Sequence, residues 1–142
     1  LFVCSGNASR SQIAEGWARA LFGTRIEALS AGVEAHGLDP RAVSVMAERG
    51  IDISRQRSKT LGTFAGAQVD LIVTLSDRAA GHLCSLRVSA PVIHINCLSP
   101  SKRTRIGEAS LSHYRAIREE IREVVIHLAI GQTNADKPAV AV

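Results

Sequence analysis

At 142 residues the chain is long enough for one domain to bury a core without disulfide staples, and short enough that no second domain is needed. Its formal charge of +4 is modest, and the basic residues scattered through 49–59 and 102–105 are not gathered with aromatics on one face, so attraction of small anions explains the charge better than nucleic-acid binding does. The three cysteines form neither a disulfide framework nor a metal-ligand spacing, every apolar stretch is broken before it could span a bilayer, and no secretory signal is visible; a reducing cytoplasm fits this composition.

The chain opens inside a predicted strand, Leu1-Phe2-Val3, without an initiator methionine, so further residues are expected ahead of it. Ser11 to Phe22 reads as a helix, because Ile13, Ala14, Trp17, Ala20 and Leu21 recur at helical spacing. Residues 26–30 read as a second strand ending in a turn at Ala31-Gly32. Asp39-Pro40 starts another helix with proline at its first position, Val43, Met46 and Ala47 on one side, and Gly50 as its stop. A short helix follows Ser58. Residues 69–75 are nearly all apolar and rich in β-branched side chains, as in a strand covered on both faces.

Residues 77–86 predict a helix and 90–95 a fourth strand with Pro91 near its start. In the last helix, from Ser110, Leu111, Tyr114, Ile117, Ile121, Val124, Val125 and Leu128 form an apolar stripe that leaves Arg115, Arg118, Glu119, Glu120, Arg122 and Glu123 largely outside it. Gly131 ends that helix, so one domain over residues 1–131 is followed by a mobile tail, 132–142. The alternation of strands and helices predicts an α/β fold, a three-layer sandwich around a four-stranded parallel sheet, with a ligand crevice at the carboxyl ends of the strands.

Cys4 lies at such an end. The run Cys4-Ser5-Gly6-Asn7-Ala8-Ser9-Arg10-Ser11 joins the first strand to a helix N-terminus, where unpaired N–H groups and the positive end of the helix dipole converge on any bound oxyanion. The same field favours thiolate over thiol at Cys4. Arg10 adds a planar fork able to hold two oxygens of a phosphate or arsenate, and Ser11 can donate to the sulfur. Gly6 lets the backbone approach the ligand, and Asn7 tolerates the left-handed conformation that a tight loop needs. The plainer alternative is a buried strand-end cysteine and an ordinary surface arginine.

This stretch resembles the phosphate loop of the low-molecular-weight protein tyrosine phosphatases and the thioredoxin-coupled arsenate reductases, which share one flavodoxin-like fold. The resemblance covers roughly residues 1 to 130 and continues through Ser11-Gln-Ile-Ala-Glu15-Gly-Trp-Ala-Arg19, Ser30-Ala-Gly32, Gly37-Leu-Asp-Pro-Arg-Ala-Val43, Gly50-Ile-Asp-Ile-Ser54 and Arg57-Ser-Lys59, closest to the arsenate-reductase branch. It implies that Cys4 attacks phosphorus or arsenic through a covalent intermediate, assisted by Ser11, while Arg10 and the backbone of Ser5, Gly6, Asn7, Ala8 and Ser9 bind the oxygens. It further implies that Asn7, Ser11 and Ser30 support the loop. Glu15 and Lys59 match positions where some members hold a monovalent cation; with Lys59 an ammonium takes its place, so no metal is expected. Simple exposure of both residues is the alternative.

Two departures accompany the resemblance. The family's leaving-group acid is an aspartate before a proline after the fourth strand; here Ser99-Pro100 stands there, and a hydroxyl cannot donate that proton near neutral pH. Glu108, His94 and Cys97 are the candidates to replace it. The redox branch uses two further cysteines after the third strand; here Ser76 occupies the first position and Cys84 the second, and Ser9 stands where the phosphatase loop often has another cysteine. Oxidised Cys4 would then be resolved by Cys84, or by thioredoxin or a low-molecular-weight thiol. Cys84 and Cys97 also read as small buried hydrophobes. The implied function is a cysteine-nucleophile oxyanion enzyme acting on arsenate or phosphate esters. The alternatives are a slow protein tyrosine phosphatase, disfavoured by Ser99 and by a rim whose only tyrosine is Tyr114, and a phosphate- or arsenate-binding protein without turnover.

Overall fold

The computed structural model describes residues 1–100 and 108–135, the latter with side chains over 111–131. Four strands, β1 (Phe2–Cys4), β2 (Ser30–Gly32), β3 (Ile72–Thr74) and β4 (Val92–His94), form one sheet in the order β2-β1-β3-β4 with every pair parallel. The helices are α1 (Arg10–Phe22), α2 (Pro40–Ala47), α3 (Asp77–Cys84) and α4 (Glu108–Ala135), with short 3-10 turns at Gly23–Arg25 and Leu61–Phe64. Alternation along the strands divides the core: Phe2, Cys4, Val73 and Leu75 pack with α1, α2 and α4, while Val3 and Ile72 pack with Ala79 and Leu83 of α3. This is the predicted three-layer α/β fold.

The second strand lies further along than predicted. Residues 26–29 are irregular, and Ala31-Gly32 belong to β2, because Cys4 registers on Gly32 and the Gly32 amide finds the Lys59 carbonyl at 2.9 Å. In α2 the buried side chains are Ala42, Val45 and Met46, so Val43 is only partly covered and Ala47 is exposed. Asp39 caps α2 through the Arg41 amide, as an aspartate ahead of a proline should. β3 is covered on both faces, but β4 is an edge strand exposed along its length.

Helix α4 runs past Gly131 to Ala135, and residues 136–142 lie outside the described residues, as do the basic residues at 102–105. Its predicted stripe is the buried face, with one correction: Arg118 is buried. Its guanidinium donates to the Val45 carbonyl at 2.7 Å, to Glu48 at 2.9 Å and to Glu119 at 2.8 Å, which compensates the burial of its charge. Among the described residues no helix is long and apolar enough to cross a membrane.

Candidate active site

The loop from Cys4 to Arg10 leaves β1 at its carboxyl end, between the two neighbouring strands β2 and β3, and enters α1 directly. Asn7 takes φ +47°, the left-handed turn expected of it. A Cβ on Gly6 would lie 2.4 Å from Nδ1 of His36, so this glycine makes room for the His36 ring, whose own amide donates to the Gly6 carbonyl at 2.9 Å. Gly32 is required for a like reason, since a Cβ there would meet the Glu34 carbonyl at 2.2 Å and the Asn7 amide at 2.7 Å.

The polar side chains under the loop form one directed chain. Asn7 Nδ2 donates to Ser11 Oγ at 2.8 Å and to Ser30 Oγ at 3.0 Å, and Ser30 donates to Glu15. With an oxygen lone pair occupied by Asn7, the Ser11 proton is available to the Cys4 sulfur, 2.9 Å away. Asn7 Oδ1 accepts from Gln12 Nε2 at 3.0 Å and from the Lys59 amide at 2.9 Å, fixing the amide's orientation. Asn7, Ser11, Gln12 and Ser30 are fully buried, and among the described residues no buried side-chain nitrogen or oxygen lacks a partner. Such a network is rigid because loosening any member strands another in a low-dielectric interior.

Arg10 is also buried, its Nη1 donating to the Leu75 carbonyl at 3.2 Å and the Cys97 carbonyl at 3.5 Å. Glu15 carries Arg19 on one carboxylate oxygen at 2.6 Å and Lys59 Nζ 3.9 Å from the other. Burial lowers the Lys59 ammonium's pKa, against the raising effect of Glu15. Among the described residues no group of three or more His, Cys, Asp or Glu side chains could hold a metal ion.

The candidates for acid and redox work fall outside this cluster. His94 shares the α3 face of the sheet with Thr74, which it meets through Nδ1 at 2.8 Å, while its Nε2 faces Asp77 at 3.1 Å, so both ring nitrogens are engaged away from the loop. Cys97 is buried, and burial, followed by the charge of Glu120, pushes its thiol up to about 11. Cys84 is the last residue of α3 and exposed, so it is not the buried hydrophobe that a lone helical cysteine suggests. Ser76 does sit against the loop: its Oγ meets Ser5 Oγ at 3.2 Å and caps α3 through the Ala79 amide. At 1.5 Å per residue, α3 separates Ser76 from Cys84 by about 12 Å.

Ser99 is exposed, its carbonyl accepting from His113 Nε2 at 2.8 Å; the Glu108 side chain lies outside the described residues. Tyr114 is not at the rim; it is fully buried behind the loop and donates to Asp39 at 2.6 Å. Sequence reasoning missed Gln12 and its partner Gln56, whose Nε2 donates to Gln12 Oε1 at 2.8 Å. A glutamine in the otherwise buried first turn of α1 was the signal that could have found them. It also missed the rim cluster in which Glu34 joins Arg78 at 2.7 Å and His36 at 2.6 Å, bonds that hold the Glu34 carboxyl down at about 2.

The chain is similar to known proteins. An arsenate reductase of Halalkalibacterium halodurans is 39% identical over 120 residues, covering 84% of this chain and 86% of the relative. A low molecular weight protein tyrosine phosphatase from T. tengcongensis superposes with TM-score 0.77 at 26% identity, covering 92% of this chain and 96% of that one. An arsenate reductase in the phosphate binding state superposes with TM-score 0.71 at 28% identity, covering 89% and 92%. The family model of the low molecular weight phosphotyrosine protein phosphatases matches residues 1–138, which establishes that this chain belongs to that family of cysteine-based enzymes.

Proposed function

We propose that the protein is an arsenate reductase that uses Cys4 as nucleophile and an external thiol as reductant. The observation that carries this reading is the distribution of thiols. Ser76 holds the loop-side end of α3, Cys84 lies about 12 Å along the axis at its far end, and the Cys97 thiol is buried and stays protonated. No second thiol is therefore offered to Cys4 in this conformation. The identity to curated arsenate reductases, 39% over 120 residues for the one from H. halodurans, supports arsenate over a phosphate ester.

In this reading the oxyanion rests on the amides of residues 5–10, with Arg10 across its oxygens and the α1 dipole behind it. Cys4 thiolate, stabilised by the Ser11 hydroxyl, attacks arsenic(V) of dihydrogen arsenate, and one arsenate hydroxyl leaves as water with the proton of the other. The thiolate of thioredoxin or a low-molecular-weight thiol then attacks the Cys4 sulfur. The S–As bond breaks with its electron pair going to arsenic, giving arsenite and a mixed disulfide, and a second thiol frees Cys4. Arsenate carries ionisable protons of its own and can hand one to the departing hydroxide, a route that does not depend on an acid at Ser99. Lys59 beside Glu15 supplies a fixed cation under the loop, so no monovalent metal is required, and a cytoplasmic setting keeps Cys4 reduced.

The test is rapid-mixing release of p-nitrophenolate from p-nitrophenyl phosphate at enzyme concentrations close to substrate, followed by arsenate with thioredoxin or glutathione. A stoichiometric burst absent from Cys4→Ser, then arsenite formation that needs added thiol, is the expected result. No burst with intact phosphate binding would leave a binding protein, and brisk turnover of aryl phosphates without arsenite formation would favour a phosphatase.

A further inference from the structure

The peptide units of the loop are trans, so each carbonyl points opposite to the N–H of the residue after it. Holding a carbonyl outside the loop therefore aims the next amide inward, at an oxyanion. Four of these carbonyls are held by backbone donors. The Val33 amide takes the Cys4 carbonyl at 3.1 Å, Glu34 that of Ser5 at 2.9 Å, His36 that of Gly6 at 2.9 Å and Asp39 that of Ala8 at 2.9 Å. The Ser58 hydroxyl adds a second donor to the Gly6 carbonyl at 3.3 Å. The amides of Ser5, Gly6, Asn7 and Ser9 are thus turned by main-chain contacts that depend on no side chain.

The Asn7 carbonyl is held differently. Its donor is a side chain, Gln12 Nε2 at 3.1 Å, reaching back from the first turn of α1. The same nitrogen donates to Asn7 Oδ1 at 3.0 Å and to the Arg57 carbonyl at 3.0 Å. Gln12 is fully buried, and its Oε1 and carbonyl accept from Gln56 Nε2 at 2.8 Å and 3.0 Å. A glutamine amide can sit either way round, but acceptors on one side and a donor on the other leave a single orientation, with the nitrogen toward Asn7. Asn7 itself sits at φ +47°, a conformation that a residue other than glycine keeps only where its surroundings hold it.

We propose that Gln12 is a positioning residue for oxyanion binding: by holding the Asn7 carbonyl under the loop it aims the Ala8 N–H at the anion. Without that donor the peptide between Asn7 and Ala8 is free to turn over, presenting a carbonyl where the anion needs an N–H. This rests on the reading of residues 4–11 as an oxyanion site.

The experiment is an NMR titration of isotope-labelled protein with inorganic phosphate, read as the dissociation constant and, amide by amide, as the resonance shifts of residues 5–9. Gln12→Met, of like length and without a donor, should weaken phosphate binding about tenfold, the size of one hydrogen bond to a charged group. At saturating phosphate the Ala8 amide should lose its shift while those of Ser5, Gly6, Asn7 and Ser9 keep theirs. A loss spread evenly over these amides would assign the effect to general loosening of the loop and overturn the proposal, as would binding as tight as in wild type. Wild-type protein that fails to bind phosphate would remove the oxyanion site and the proposal with it, a result distinct from both. If Gln12→Met melts below the assay temperature, Gln56→Leu, which loosens Gln12 from its half-buried side, carries the same comparison at about threefold: a loss of shift confined to Ala8 supports the proposal, and an even loss overturns it.

Discussion

The Cys4–Ser11 loop and the segment from Cys97 to Pro100 meet at Arg10 and are built in opposite ways. The loop rests on buried polar side chains, each with a partner, in a chain from Glu15 through Ser30, Asn7 and Ser11 to the Cys4 sulfur. The second segment is held by its backbone: Arg10 takes the Cys97 carbonyl, Glu120 the Leu98 amide at 2.8 Å, and His113 the Ser99 carbonyl. Its side chains at 98 and 99 are exposed and carry no acid. The loop proposed to hold the oxyanion is thus densely specified by buried polar side chains, while the segment that the resemblance assigns to the leaving-group acid carries Ser99 and no carboxylate.

The largest effect should come from the loop. Cys4→Ser should abolish the p-nitrophenolate burst, and a residual burst would mean that another group is the nucleophile. Arg10→Lys should slow the burst by roughly 100- to 1,000-fold, since an ammonium cannot span two oxygens or replace the bonds to Leu75 and Cys97. Ser99→Asp should move the other way, raising turnover of phenyl phosphate about 10- to 100-fold while changing that of p-nitrophenyl phosphate little. Unchanged phenyl phosphate turnover would mean that the segment does not face the leaving group.

Asn7→Ala removes the donor to Ser11 and Ser30 and leaves the Lys59 amide without the Asn7 carbonyl oxygen, and should cost about 1–3 kcal/mol, read from denaturant unfolding. A loss near zero would contradict the rigidity assigned to the network. The smallest effect concerns the thiols outside the loop. At pH 8 iodoacetamide should label exposed Cys84 and spare Cys97, because the Cys97 thiol, pushed up to about 11 by burial, stays protonated until well above that pH. Labelling of Cys97 in the native protein would show that the segment opens.

Much of the loop is legible in the amino-acid sequence. Cys4, Asn7, Arg10 and Ser11 are close along the chain, and a strand running into a helix puts them on one turn of backbone. Ser30 and Lys59 are reached only through resemblance. Gln56, Tyr114 and Asp39 show why the rest is hidden: each acts on residues far away in sequence, and a tyrosine on an apolar stripe looks the same whether its hydroxyl meets solvent or a buried carboxylate. The same blindness places Tyr114 at the rim and Arg118 outside the core, where the structure buries both.

Local chemistry determined the order of elements, the parallel α/β class and the oxyanion loop, because periodicity, a strand-to-helix junction and a proline at a helix start are short-range signals. Packing decided what periodicity cannot carry. It shifted β2 onto Ala31-Gly32 by register with β1, left β4 as an exposed edge, and carried α4 past Gly131. It also set Cys84 apart from the loop and joined Tyr114 to Asp39. Such pairings depend on which surfaces meet once the whole chain has folded.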